Sequence, residues 1–69
     1  MPKPLQWTDT DEIAYRLVEA HPEVDPLAVR FTDLHAWVLA LPGFAGDSHQ
    51  GGEKILEAIQ MAWVAERED

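Results

Sequence analysis

The chain has no cysteine among its 69 residues. That excludes a disulfide framework, a thiolate zinc site and a cysteine nucleophile together. Basic residues are scarce as well. Five Lys and Arg stand against 13 Asp and Glu, giving a formal net charge of −8. Nucleic acid and anionic membranes are recognised through clustered Lys and Arg, so neither fits as a partner. Cations and basic protein surfaces do. No apolar run reaches the ~18 residues of a membrane span. The segment Met1-Pro2-Lys3-Pro4-Leu5-Gln6-Trp7 lacks the ~7–15-residue apolar stretch of a secretory signal. These absences predict a cytoplasmic protein.

Apolar residues make up 46 % of the chain and charged residues 26 %, a globular rather than a disordered composition. The length allows one domain over 1–69, with an N-terminal arm at 1–6, a glycine-rich loop at 43–52 and a frayed end at 67–69. A domain this short hides only about 60 % of its unfolded surface. It has little room for a buried catalytic pocket, which favours a binding module over an enzyme.

Helical punctuation dominates. Thr8, with Asp11 three residues on, resembles a capping box. Asp9, Asp11 and Glu12 suit the positive end of a helix dipole. Ile13, Leu17 and Ala20, beside Ala14 and Val18, form an apolar stripe. Asp9, Glu12, Arg16 and Glu19 fall on the other face, with Glu12–Arg16 a favourable i,i+4 pair. His21-Pro22 ends the element. Asp25-Pro26 is an N-cap followed by a first-turn proline, opening a short turn over 27–29. Thr32 is the next expected cap. Leu34, Trp37, Val38 and Leu41 then repeat at core-facing spacing, and Pro42-Gly43 closes that helix. All four glycines lie in 43–52, where Phe44 is the one expected anchor of a flexible loop. Ile55, Leu56, Ile59 and Trp63 mark a last helix, with Ala62 beside them. Strand signals are weak. The prediction is an all-α domain of three main helices plus a short helical turn, with Trp7, Trp37 and Trp63 meeting in one core.

Catalytic constellations fail on spacing. Ser48 is followed directly by His49, which gives neither an aimed base nor a third group behind it. Gly46 and Gly51 have phosphate-loop spacing, but Gly52-Glu53 stands where Lys-Ser/Thr is required. Asp9-x-Asp11 opens like a calcium loop and then meets Ile13, Ala14 and Ala20 at ligand or turn positions. His21, His35 and His49 share no ligand spacing. A set of carboxylates remains: Asp9, Asp11, Glu12, Asp33, Asp47, Glu53 and Glu57. Two readings of them stay open. They cap helices and solvate the surface, or they serve as hard oxygen ligands for ions such as iron. Leu39, Met61 and Val64 lie off the core stripes. They are either half-buried beneath the loop or part of a docking patch bordered by acids.

Five ordered motifs carry a specific resemblance. They are Trp7-Thr8-Asp9, Glu12-Ile13, Asp25-Pro26, Val29-Arg30-Phe31-Thr32-Asp33-Leu34-His35 before Trp37, and Glu53-Lys54-Ile55-Leu56-Glu57-Ala58-Ile59 before Trp63. Together they resemble the IscX (YfhJ) family of bacterial iron–sulfur cluster assembly proteins. The resemblance implies a modified winged-helix-like arrangement without nucleic-acid function. It also implies binding to cysteine desulfurase, weak binding of ferrous iron through exposed carboxylates, and no catalytic activity. By position it assigns Asp9, Glu12, Asp33, Glu53 and Glu57 to the acids of the family motifs. Similar proteins carry an acidic run after the position of Phe44, whereas only Asp47 remains in this loop.

The expected function is an acidic adaptor or regulator of cluster assembly. Its docking residues would be Asp9, Asp11, Glu12, Arg16 and Glu19, with Leu39, Met61 and Val64 as apolar contacts. The cluster scaffold is a second expected partner, and competition with the bacterial frataxin follows from the resemblance. The metal-binding candidates are Asp9, Glu12, Asp33, Asp47, Glu53 and Glu57. The alternative function is an iron donor that delivers metal to the scaffold. A DNA-binding winged helix is rejected, because 33–41 contains no Lys or Arg.

Overall fold

A computed structural model describes residues 4–68. Its helices follow in the order α1 Thr10–Ala20, α2 Phe31–Leu39 and α3 Glu53–Glu68, with a 3-10 turn at Pro26–Ala28 between the first two. The all-α expectation holds. Helix α1 packs mainly against α3, and α2 closes the core from the side.

Helix α1 begins one residue later than an N-cap at Thr8 predicts, because Gln6 to Asp9 form a turn closed by Asp9 N–H donating to the Gln6 carbonyl at 3.0 Å. Asp9 takes the N-cap position, but its side chain does not cap the helix. Its Oδ2 instead accepts from Gln6 N–H at 2.9 Å. The expected box between Thr8 and Asp11 is therefore absent. Ile13, Ala14 and Leu17 are buried as the stripe predicts. Ala20 is exposed, because the chain leaves the helix at His21 and turns away at Pro22.

Asp25 caps the short turn as expected, accepting from Leu27 N–H at 3.0 Å. Pro26 is buried, and its carbonyl accepts from Gln60 Nε2 at 2.8 Å, which ties the turn to α3. Helix α2 starts at Phe31 with Arg30 in the N-cap position, so Thr32 lies inside the helix and caps nothing. Leu34 and Val38 are fully buried. Leu41 lies past the helix end and is still buried, because the closing turn keeps it on the same side.

Gly43 has φ +80°, a left-handed conformation that favours glycine. It reverses the chain so that Phe44 pairs with Leu5 in an isolated parallel bridge. Leu5 N–H donates to the Gly43 carbonyl at 2.9 Å, and Ala45 N–H donates to the Leu5 carbonyl at 2.8 Å. From Leu5 onward the N-terminal arm is thus docked. A wing requires a β-hairpin, and this bridge is the pairing found among the described residues, so the winged-helix detail is not supported.

Helix α3 buries Leu56, Ile59 and Trp63. It continues to Glu68, and Arg67 Nη1 lies 3.9 Å from Asp25 Oδ1. Asp69 lies outside the described residues. The three tryptophans share one core, as expected: Trp7 and Trp63 are buried in it and half-buried Trp37 packs against it. Trp63 is fully buried and meets half-buried Trp37 edge-to-face at 6.3 Å. Trp37 also stacks on His21 at 4.1 Å. The ring partners of Trp7 within that core are His35 and Phe44.

Candidate functional site

The acids named from the sequence are all exposed, but they are distributed over several elements. Asp9 is the N-cap of α1, Asp11, Glu12 and Glu19 belong to that helix, Asp33 to the first turn of α2, Asp47 to the loop, and Glu53 and Glu57 to α3. Among the described residues, no three His, Asp or Glu side chains are gathered as a metal site. Two of the acids have local work. Asp9 accepts from Gln6 N–H, and Asp47 Oδ1 accepts from His49 N–H at 2.9 Å.

One group does converge. Glu12 and Glu19 flank Tyr15 on α1, three residues before and four after, and the charge of Glu66 on α3 reaches the same phenol. The Tyr15 pKa is raised above its usual 10.0, first by the hydrogen bond to Glu19 and then by the negative charge of Glu19. Slight loss of water and the charges of Glu12 and Glu66 add to this. Each effect disfavours a phenolate among carboxylates. Neither Tyr15 nor Glu66 was among the candidates from the sequence. Tyr15 had a signal, since its spacing from Glu12 and Glu19 places all three on one helix face. Glu66 had none, because only the packing of α3 on α1 brings it there.

Arg16 is tied down beside this face. Its Nε lies 3.2 Å from Glu12 Oε1, and its Nη1 donates to the Pro42 carbonyl at 3.2 Å. It links α1 to the turn after α2.

The three apolar candidates do not form one patch. Leu39 is half-buried against the core. Met61 is 58 % exposed and lines a shallow depression of about 330 Å³ with Lys54, Glu57 and Ala58. Val64 borders a smaller cleft of about 140 Å³ with Asp25, Pro26 and Leu27. Leu27, missed from the sequence, is more exposed than Met61. It follows Pro26, so its outward position depends on the turn rather than on a helical stripe.

The glycine-rich loop is held to the rest of the fold at two points. Trp7 Nε1 donates to the Asp47 carbonyl at 2.6 Å. His35 Nε2 contacts the Ser48 carbonyl at 2.8 Å, and since a carbonyl only accepts, that nitrogen carries the proton. The histidine near Ser48 therefore addresses its main chain, not a nucleophilic hydroxyl.

A family model described as iron–sulphur cluster assembly matches residues 5–68. The chain belongs to the IscX (YfhJ) family of iron–sulphur cluster assembly proteins. The match takes in all three helices and the docked loop of this IscX-family chain. It is also 56 % identical over 64 residues to an uncharacterized protein of Pseudomonas aeruginosa, covering 93 % of this chain and 97 % of that protein. No helix among the described residues is long and apolar enough to cross a membrane.

Proposed function

We propose that this IscX-family protein is a non-catalytic, cytoplasmic adaptor of cluster assembly that docks through the acidic face of α1 and α3 on a basic surface of the cysteine desulfurase. The observation that supports this reading is the convergence of Glu12, Glu19 and Glu66 on one exposed face of a chain with net charge −8. Asp9 and Asp11 extend the same negative field toward the start of α1. Such a field steers encounter with a basic partner and mainly sets the association rate. The cluster scaffold and the bacterial frataxin enter this reading as a second partner and as a competitor for the same basic surface.

Ferrous iron enters as a weak ligand of the scattered carboxylates, a few oxygens at a time. Bound iron reduces the charge of the docking face, so iron and desulfurase oppose each other's binding. The dispersal of Asp9, Asp33, Asp47, Glu53 and Glu57 over separate elements favours an adaptor over an iron donor, which must hold its cargo tightly. Binding to purified cysteine desulfurase, measured with and without ferrous iron, tests the reading. Affinity is expected to fall as salt rises from about 0.1 M to about 1 M, where the Debye length shrinks from ~10 Å to ~3 Å. Binding indifferent to salt and to iron would refute the electrostatic adaptor.

A further inference from the structure

The acidic face carries one large side chain that simple charge attraction leaves without a task. Tyr15 is 51 % exposed, although its chain neighbour Ala14 is fully buried. Half of the tyrosine's surface lies in water, and Glu12 and Glu19, three and four residues away, share its face of α1. Glu19 holds the phenol in its neutral form, with its pKa raised above the usual 10.0. The ring quadrupole therefore adds its negative face to the field of Glu12, Glu19 and Glu66.

This combination distinguishes between the two basic side chains. A lysine ammonium is a compact, strongly hydrated charge that carboxylates alone satisfy. A guanidinium is planar and weakly hydrated, stacks on an aromatic face, and sends a fork of N–H donors to acceptors at the ring edge. The chain's own Arg16 does not serve, because it is tied to Glu12 Oε1 and to the Pro42 carbonyl.

We propose that Tyr15 is the anchor of this face and that it receives an arginine side chain of a basic protein partner across its ring, with the guanidinium N–H groups directed to Glu12, Glu19 and Glu66. The inference rests on the reading of this face as a docking surface for a basic protein. It adds which residue is the hot spot and which side chain it selects.

Hexa-arginine and hexa-lysine peptides, titrated into the intact protein and followed by NMR, provide a probe independent of the desulfurase. Hexa-arginine is expected to bind about twofold to fivefold more tightly, the scale of an exposed cation–π contact, and to shift the Tyr15 ring resonances. Tyr15→Leu keeps a good helix former at an exposed position and is expected to remove that preference. Tyr15→Phe keeps the ring and is expected to retain it. Circular dichroism of both variants checks the fold. Equal affinity for the two peptides, or an unchanged preference in Tyr15→Leu, would overturn the proposal. The same variants are then tested against cysteine desulfurase. If the wild-type protein binds it and Tyr15→Leu binds equally well, the anchor is wrong and the docking reading survives. If the arginine preference holds while the desulfurase does not bind, the anchor stands and the choice of desulfurase as partner fails.

Discussion

Trp7 and Asp47 are joined by a hydrogen bond from the indole N–H to the main-chain carbonyl at 2.6 Å, across 40 positions of sequence. The bond converts a glycine-rich segment into a strap over the N-terminal residues. His35 supports it from α2, stacking on the Trp7 ring at 5.2 Å while contacting the Ser48 carbonyl.

The strap depends on close approach at Gly46, where a Cβ would lie 2.7 Å from Trp7 Cδ1, and at Gly51. A Cβ on Gly51 would lie 2.6 Å from His35 Cδ2 and 2.7 Å from Trp7 Cη2, whereas a Cβ on Gly52 meets nothing within 4 Å. Gly51→Ala is therefore expected to cost about 1–3 kcal/mol through overpacking. Gly52→Ala should stay within about 0.5 kcal/mol. Urea denaturation of the pair checks this, and equal losses would show that the loop yields without cost.

The tryptophans should differ in the order set by burial. Trp63→Ala empties a fully buried site and is expected to cost about 3–5 kcal/mol. Trp37→Ala should cost less, since the ring is half-buried between His21 and Trp63. Chemical denaturation that reverses this order would contradict the packing described above.

Tyr15 should ionise above the ordinary tyrosine range, and Glu19→Gln should bring its titration down, because Glu19 is the leading cause of the shift. Ultraviolet titration of the phenol measures both. The folded-state pKa is raised above the unfolded value of about 10. The associated stability is therefore fully present below about pH 10 and is lost as pH rises through the higher folded value. A Tyr15 that titrates at or below the ordinary value of about 10 would remove the influence of these carboxylates from the site.

Arg16→Glu separates folding from docking. It breaks the contact with Glu12 and the bond to the Pro42 carbonyl, with an expected loss of about 1–2 kcal/mol. It also makes the α1 face more negative, so association with a basic partner should be maintained or accelerated. Stopped-flow association rates beside a denaturation curve measure both effects. Slower association by a folded variant would assign Arg16 a direct contact.

Local signals in the sequence determined the three helices, the Asp25-Pro26 turn and the buried stripes, because periodicity and capping act over four residues or fewer. The ordered motifs also pointed to the family that the match over 5–68 shows. The boundaries differ at Thr8 and Thr32 because a hydroxyl ahead of an apolar stripe marks a possible cap, while the path of the preceding chain decides whether it is used. Buried Trp7 turns the chain at Gln6 to Asp9 and leaves Thr8 outside the helix. The loop read as flexible from its glycines, yet those glycines permit its close approach to Trp7 and His35. Among the acids, α1 alone announced Glu12 and Glu19, while Glu66 joined them only through the packing of α3. Sequence spacing places side chains on a face of one helix, and the angle at which two helices cross decides which faces become a common surface.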